Sequence, residues 1–178
     1  MTEYRLLGRE EIALIAGIDR TQSIDHIYYM RDDVLVCKSE HRDVPEWSPE
    51  GKASRVRELE EIYDGGATFH GAFDGERLVG VSVLNHNALA SSLDRLELAG
   101  LWVSHGYRRQ GIGQRLVHRV IEQARARGAR SLYVSATPSK STVDFYMSLG
   151  MRLADPIDPG LYEEEPEDIH LELGFGKE

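Results

Sequence analysis

The most informative part of the sequence is Leu96–Gly113, which reads LELAGLWVSHGYRRQGIG. It begins inside an apolar strand predicted over Arg95–Val103, passes through a glycine-containing turn, and enters a helix predicted over about Ile112–Arg127. The apolar positions of that helix recur every three or four residues and form its predicted buried face: Ile112, Leu116, Val117, Val120, Ile121 and Ala124. The first amides of a helix lack intrahelical partners and carry a partial positive charge, and glycine lets the backbone approach a ligand closely. The turn therefore predicts a site for an anion, with a phosphate group as the expected ligand.

Two common nucleotide-binding signatures do not fit this turn. Gly106 and Gly111 have the spacing that opens a Walker loop, but Ile112 and Gly113 stand where lysine and serine or threonine are required. A dinucleotide fingerprint that starts at Gly111 and Gly113 requires a third glycine where the sequence has Leu116. The pattern disfavours a nucleoside triphosphatase and a nicotinamide enzyme.

The elements predicted around this stretch indicate one domain, residues 1–178, of the α/β class. Strands precede it and alternating helices and strands follow it, which predicts a mixed sheet with helices packed on both faces. The predicted strands and hairpins are Tyr4–Leu7, Ile27–Met30 with Val34–Cys37, Ala67–Phe73 with Arg77–Leu84, Ser131–Ser135, Met151–Leu153 and Ile169–Phe175. The other predicted helices are Arg9–Gly17 with Ile12, Ile15 and Ala16 on one face, a helix from Pro49 to Gly65, and Ser139–Leu149.

Composition excludes several classes of protein. The chain has 178 residues, 41% hydrophobic and 29% charged, which is typical of a globular domain. A net charge of -9 disfavours nucleic acid as a partner, and no run of about 18 apolar residues predicts a membrane span. The single cysteine, Cys37, excludes an intramolecular disulfide and is expected to be a small buried hydrophobe; no zinc-type spacing occurs among the seven histidines. We expect a cytoplasmic protein without a metal.

A second motif follows the strand Ser131–Ser135. It reads SKSTVDFY over Ser139–Tyr146, and Leu149-Gly150-Met151 comes shortly after it. Together with the turn, in which Arg108, Gly111 and Gly113 fill the pattern Arg/Gln-x-x-Gly-x-Gly/Ala, this motif resembles the GCN5-related N-acetyltransferases. The resemblance follows the order of elements from about Tyr4 to Phe175, and specific residues carry it between about Leu96 and Leu153. Two departures stand in the second motif, where Ser139 replaces the family's asparagine and Thr142 its alanine.

The resemblance implies acetyl coenzyme A as cosubstrate and assigns residues to it. Backbone amides of the turn would hold the diphosphate, over Arg108, Arg109, Gln110, Gly111, Ile112, Gly113 and Gln114. The strand positions Leu101, Trp102 and Val103 would offer backbone groups to the pantetheine and to the thioester oxygen. Gly100 predicts a bulge or a close backbone approach there. Ser139 would donate one hydrogen bond to the cofactor or cap its helix.

The same resemblance implies two catalytic residues. Glu97, fourteen positions before Gly111, matches the general base of many family members, and Tyr146 matches the general acid that protonates the departing thiolate. Each residue has a structural alternative that the sequence leaves open: Glu97 as a solvent-facing residue between Leu96 and Leu98, and Tyr146 as a packing residue beside Phe145.

The predicted reaction is direct transfer of an acetyl group to a primary amine of a small molecule. Two alternatives stay open: acetylation of a protein lysine or N-terminus, and a non-catalytic acyl-coenzyme sensor. The acidic run Glu163–Asp168 reads as a solvated loop, although it could also attract a cationic amine. The region that contains Tyr28, Tyr29 and Trp47 commonly shapes the acceptor pocket in the family. Neither a nucleic acid nor a membrane is expected as a partner, and a homodimer is the candidate assembly.

Overall fold

A computed structural model describes residues 1–87, 89 and 91–176, so that the last two residues of the predicted domain lie outside the described part. The strands are β1 Glu3–Leu6, β2 Gln22–Arg31, β3 Val34–Val44, β4 Thr68–Asp74, β5 Arg77–Asn85, β6 Arg95–Val103, β7 Ser131–Ala136, β8 Arg152–Leu153 and β9 Ile169–Gly174. The α-helices are α1 Pro49–Asp64, α2 Ile112–Ala126, α3 Lys140–Ser148 and α4 Pro159–Glu164, and 3₁₀ helices span Arg9–Gly17 and His105–Tyr107.

Seven strands form one sheet in the order β1-β4-β5-β6-β7-β9-β8, while β2 and β3 form a separate two-stranded sheet. Every neighbouring pair in the large sheet is antiparallel except β6 and β7, which are parallel. This mixed sheet with helices confirms the predicted fold class.

The two faces of the large sheet carry different helices. On the first face α2 and α3 pack on alternate strand residues such as Leu96, Leu98 and Leu132. On the second face the long 3₁₀ helix and α1 pack on Phe69, Val81 and neighbouring residues. Because side chains alternate along a strand, this division also tells which face each residue of the site occupies.

Local sequence explains the helix boundaries. The Ser48 hydroxyl accepts a hydrogen bond from the Gly51 amide at 3.0 Å and so caps α1, whose first residue is Pro49 as predicted. The segment Arg9–Gly17 was predicted as a helix and is one of the 3₁₀ type. Since a 3₁₀ helix repeats every three residues, Ile12 and Ile15 form its fully buried row, and the predicted Ala16 is only partly buried. The fully buried Ile18, directly after the helix, extends this row.

The predicted hairpin is present as β2 and β3, although both strands are longer than predicted. Three other expectations from the sequence were wrong. The hairpin forms its own small sheet instead of joining a single mixed sheet. Cys37 on β3 is exposed, because β3 pairs only with β2 and most of its residues face solvent. The run Glu163–Asp168 is not wholly a loop, because Glu163 and Glu164 belong to α4. The Asp158 carboxylate accepts a hydrogen bond from the Leu161 amide at 3.1 Å, and Pro159 follows it, so this helix start was readable from the sequence.

Candidate active site

The loop between β6 and α2 presents unpaired backbone amides. Arg109 and Gly111 have left-handed backbone conformations, with φ of 61° and 79°, which turn the chain sharply before the helix. The first α-helical hydrogen bond runs from the Arg115 amide to the Gly111 carbonyl at 3.1 Å. The amides of Ile112 and Gly113 come before it and therefore have no partner within the helix. No acidic residue lies in the first turn of α2. The loop thus places unpaired amides at the positive end of the helix, an arrangement that can hold an anion, and the anion site stays a prediction.

Packing fixes the direction in which α2 begins. Ile112 is 3% exposed and packs with Leu116 against Ala72 and Val79 on the first face of the sheet. Gly113 lies beside α3, where an added Cβ would be 3.5 Å from the Phe145 ring. The helix start is therefore anchored between the sheet and α3.

The strands β6 and β7 separate after a short paired segment. Their parallel register covers only three residues each, Arg95–Glu97 with Ser131–Tyr133, although β6 continues to Val103 and β7 to Ala136. Beyond Glu97, no residue of the described part pairs with β6 in the sheet on its β7 side. This gap in the pairing leaves backbone groups of the strand positions Leu101, Trp102 and Val103 without a sheet partner on that side.

A bulge in β6 lies at the start of the gap. The register with β5 changes from Leu98 opposite Leu84 to Gly100 opposite Val83, which leaves Ala99 unpaired. The Trp102 ring lies over Gly100, where an added Cβ would be 2.4 Å from ring carbons. The predicted bulge is confirmed, and Gly100 is needed because the indole ring occupies the space of a side chain.

The Glu97 carboxylate lies on the second face of the sheet at the vertex of the gap. Its register partners are Asn85 on β5 and Tyr133 on β7, and the Asn85 amide donates a hydrogen bond to Oε2 at 3.3 Å. Burial raises the pKa of Glu97; the Asn85 hydrogen bond partly offsets this, and the negative charges of Glu164 and Asp158 add to the increase. A carboxylate in such surroundings is suited to accept a proton.

The Tyr146 side chain approaches from the first face. It is 5% exposed and packs in the cluster that contains Leu96 and Leu98, with its ring edge-on to Phe145 at 5.2 Å between centroids. Burial raises the pKa of its phenol well above 10, so the group stays protonated at neutral pH. Among the described residues none forms a hydrogen bond with its hydroxyl, so the phenol proton is available for a ligand.

The remaining predicted cofactor residues differ in exposure and in their hydrogen bonds. Arg109, Gln110, Gly111 and Gln114 are exposed on the loop, and the Gln110 side chain donates to the Gly106 carbonyl at 3.2 Å. Ser139 is 1% exposed, and its hydroxyl caps α3 by accepting from the Thr142 amide at 3.3 Å and donating to Thr142 Oγ1 at 2.7 Å. The structure thus gives Ser139 the capping role, and its contact with a cofactor stays a prediction. The Arg108 side chain donates to three backbone carbonyls, those of Val103, Thr21 and Asp19.

A cleft of about 510 Å³ lies between the two-stranded sheet and the segment before β9. It is lined by Ile24, Ile27, Arg42, Asp43, Val44, Thr137, Pro138, Glu165, Pro166, Glu167 and Asp168. The Asp168 carboxylate accepts a hydrogen bond from the Ser135 hydroxyl at 3.1 Å. Burial raises the pKa of Asp168 to about 6, with Glu165 and Glu167 adding to the increase. The cleft therefore combines apolar walls with an excess of negative charge.

The aromatic residues that the sequence singled out do not line this cleft. The Tyr28 hydroxyl donates to Asp144 at 2.9 Å and the Tyr29 hydroxyl donates to Glu40 at 2.5 Å. Trp47 packs edge-on to Trp102 with 6.3 Å between ring centroids. Strands β2 and β3 do contribute to the cleft, but through aliphatic and charged residues for which the sequence carried no signal.

Metal-binding clusters and membrane-spanning helices do not occur in the part of the chain that the structure describes. In residues 1–87, 89 and 91–176, no group of three or more histidine, cysteine, aspartate or glutamate side chains could hold a metal ion. None of the helices in the described part is long and apolar enough to cross a membrane.

Solved structures with similar folds are acetyltransferases. Nourseothricin acetyltransferase is 17% identical, with a TM-score of 0.71 over 97% of this chain and 98% of that one. A putative streptothricin acetyltransferase from Bacillus anthracis, solved with acetyl coenzyme A, is 14% identical, with a TM-score of 0.73 over 99% of both chains. The PaiA N-acetyltransferase of Thermoplasma acidophilum, solved with coenzyme A, is 17% identical, with a TM-score of 0.65 over 98% of this chain and 99% of that one. At these identities the likeness concerns the fold. No curated protein matches the chain.

The fold and the site define an α/β protein in which a loop with unpaired backbone amides follows a strand that stops pairing with its parallel neighbour. The model of the acetyltransferase (GNAT) family matches residues 29–151, which is more than half of the chain. The chain belongs to the GNAT family of acetyltransferases.

Proposed function

We propose that this protein transfers the acetyl group of acetyl coenzyme A directly to a primary amine of a small molecule. The observation that carries the proposal is the placement of Glu97 and Tyr146. Glu97 lies on the second face of the sheet where the pairing of β6 with β7 ends, and Tyr146 packs on the first face with Leu96 and Leu98. Strand β6 continues from Glu97 into the loop before α2.

The residues present fit the cosubstrate. The amides at the start of α2 would hold its diphosphate, since Gly111 and Gly113 carry no side chain and no acidic residue lies in the first helical turn. The unpaired edge of β6 at Leu101–Val103 would bond to the pantetheine amides as a further strand does. One of these amides would also donate to the thioester oxygen as negative charge develops there.

The acceptor must lose a proton before it can react. An alkyl ammonium has a pKa of about 10.4, so its deprotonation at pH 7 costs about 4 to 5 kcal/mol. Glu97, whose pKa is raised by burial, would accept this proton directly or through one water molecule. The amine nitrogen then forms a bond to the carbonyl carbon.

The thiolate leaving group needs a proton when the carbon–sulfur bond breaks. The Tyr146 phenol is protonated at neutral pH, and none of the described side chains competes for its hydroxyl. Tyr146 would therefore act as the general acid that completes the transfer.

The acidic cleft supports a cationic acceptor. Its carboxylates at Asp43, Glu165, Glu167 and Asp168 outnumber the single guanidinium of Arg42, which already pairs with Glu40 and Glu167. A negative field of this kind raises the local concentration of a cationic amine, while the walls of Ile24 and Ile27 accept an aliphatic chain.

Calorimetry and a thiol-release assay test the proposal together. Acetyl coenzyme A should bind with saturable heat, and small amines such as lysine, spermidine and streptothricin should release coenzyme A faster than buffer alone. For a cationic acceptor, the KM should rise with ionic strength. Binding of acetyl coenzyme A without release of coenzyme A by any amine would favour the non-catalytic sensor. Release of coenzyme A with lysine-containing peptides only would favour a protein acetyltransferase. If acetyl coenzyme A does not bind, the proposal is refuted.

A further inference from the structure

The Arg108 side chain connects two distant segments of backbone. Its Nε donates to the Val103 carbonyl at 2.9 Å, at the end of β6. Its Nη1 donates to the Thr21 carbonyl at 2.9 Å, and Nη2 donates to the Asp19 carbonyl at 3.4 Å. The guanidinium thus joins the loop before α2 to the linker that leads into β2.

Other groups of the same loop hold the same linker. The Asp19 amide donates to the Ser104 hydroxyl at 3.0 Å, and the His105 amide donates to the Asp19 carbonyl at 2.9 Å. His105 Nδ1 lies 3.0 Å from the Thr21 carbonyl. Arg108 is the charged member of this set, and burial lowers the pKa of its guanidinium while the nearby Asp19 charge opposes that change.

The linker continues directly into the wall of the acidic cleft. Strand β2 begins at Gln22, whose side chain donates to the Ser141 hydroxyl at 3.2 Å, and Ile24 and Ile27 of β2 line the cleft. The Tyr28 amide donates to the Pro138 carbonyl at 2.8 Å. A displacement of residues 19–21 would therefore also displace β2, because these residues lead directly into the strand.

We propose that Arg108 is a positioning residue that couples the loop before α2 to β2. Coenzyme A bound to this loop would then stabilise the wall of the acidic cleft, in which the acceptor amine would bind. This inference rests on the proposed function, because it requires coenzyme A to bind the loop. It assigns to the Arg108 side chain a role other than that of a phosphate ligand.

The chemistry of arginine explains the choice of residue. A guanidinium presents several donors in one plane and can hold carbonyls from two segments at once, whereas a lysine ammonium is a point charge on a flexible stem. An anion held by the amides around Gly111 would restrict the loop that carries Arg108. Restriction at one site lowers the entropy that must be lost when the second site is ordered, which couples the two sites.

Amide hydrogen exchange with coenzyme A itself as the probe tests this coupling. In the wild-type protein, saturating coenzyme A should slow exchange in peptides that cover residues 19–31 by about fivefold or more, in addition to slowing exchange at the start of α2. In Arg108→Gln the slowing at the start of α2 should persist and that at residues 19–31 should be lost. Arg130→Gln, which removes the same charge from a side chain that is 74% exposed, should behave as the wild type.

Arg108→Lys keeps the charge and serves as the second variant if Arg108→Gln does not fold. It should also lose the slowing at residues 19–31, because one ammonium cannot replace the guanidinium contacts. Slowing of exchange that persists in both variants would overturn the proposal. The proposal would also be overturned if Arg108→Gln lost about tenfold in coenzyme A affinity while coenzyme A still slowed exchange at residues 19–31 as in the wild type. That result would indicate that Arg108 is a phosphate ligand.

The two failures can be told apart. If calorimetry detects no coenzyme A binding to the wild-type protein, the proposed function and the coupling both fall. If coenzyme A binds and slows exchange at α2 but leaves residues 19–31 unchanged, only the inference about Arg108 falls.

Discussion

At the scale of single residues, the proposed chemistry depends on the Glu97 carboxylate and the Tyr146 phenol, and burial raises the pKa of both. Burial favours the neutral form of each acid and so raises both pKa values, which makes Glu97 a stronger base and keeps Tyr146 protonated. The two groups therefore suit opposite roles at one pH.

Replacing Tyr146 with phenylalanine tests the general acid. The substitution removes only the hydroxyl from a side chain that is 5% exposed, so the fold should be kept. We expect turnover to fall by about 10- to 10⁴-fold while the dissociation constant for acetyl coenzyme A changes little. Steady-state kinetics at saturating acceptor and calorimetry measure the two quantities. Unchanged turnover would remove Tyr146 from the reaction.

Replacing Glu97 with glutamine tests the general base through its pH dependence. In the wild type the rate should fall as the pH drops through the raised pKa of Glu97, because the protonated carboxyl cannot accept the amine proton. Glu97→Gln should lower kcat/KM by about 10²- to 10⁴-fold and remove this acidic limb from the profile. Glu61→Gln, at an exposed position of α1, is the control. A profile with the same limb in Glu97→Gln would assign the ionisation to another group.

At the scale of elements, the loop before α2 depends on a residue that tolerates a left-handed conformation. Gly111 has φ of 79°, and a Cβ added there would meet no atom within 4 Å, so substitution introduces strain without a clash. Gly128, after the other end of α2, has φ of 81° and equally open surroundings. The two positions form a matched pair.

Alanine at each of these glycines should lower the free energy of unfolding by about 1 to 2 kcal/mol, because a left-handed conformation costs an L-residue that much. Only Gly111→Ala should also weaken the binding of coenzyme A, since it distorts the amides that would hold the diphosphate. Denaturant unfolding and calorimetry on both variants give the comparison. Equal affinity in the two variants would mean that the diphosphate binds elsewhere.

At the scale of the whole molecule, the net charge of -9 is concentrated in part around the cleft, and this affects stability as well as binding. In the folded protein the pKa of Asp168 is about 6, above the ordinary 3.8, so the folded state holds this proton more tightly than the unfolded state does. The contribution of Asp168 to the free energy of unfolding should therefore decrease as the pH rises from about 4 to about 6, and it should stay lower above that range.

Asp168→Asn should remove this loss. The amide keeps an acceptor for the Ser135 hydroxyl without the charge, so we expect the free energy of unfolding at pH 7 to rise by about 1 kcal/mol, a value reduced by partial solvation of the group. Denaturant unfolding between pH 4 and pH 8 measures it. Glu163→Gln, at an exposed position, should change little. A variant as pH-dependent as the wild type would show that Asp168 ionises normally in the folded state.

Local patterns were enough to predict β6, the turn and α2, because each depends on residues that lie close together in the chain. The apolar spacing of Ile112 to Ala124, the glycines of the turn and the cap at Ser48 act within a few residues, and the structure has them at the predicted positions. The bulge next to Gly100 was readable for the same reason, although the indole ring that requires the glycine was not.

Contacts between distant segments of the chain could be read only from the folded structure. The gap exists because β6 and β7 stop pairing after Glu97, the small sheet of β2 and β3 stands apart, and Arg108 holds carbonyls of a linker near the N-terminus. The exposure of Cys37 and the raised pKa of Asp168 likewise follow from which segments pack together. These features depend on contacts between residues far apart in sequence, and a local pattern carries no information about which distant surface will cover it.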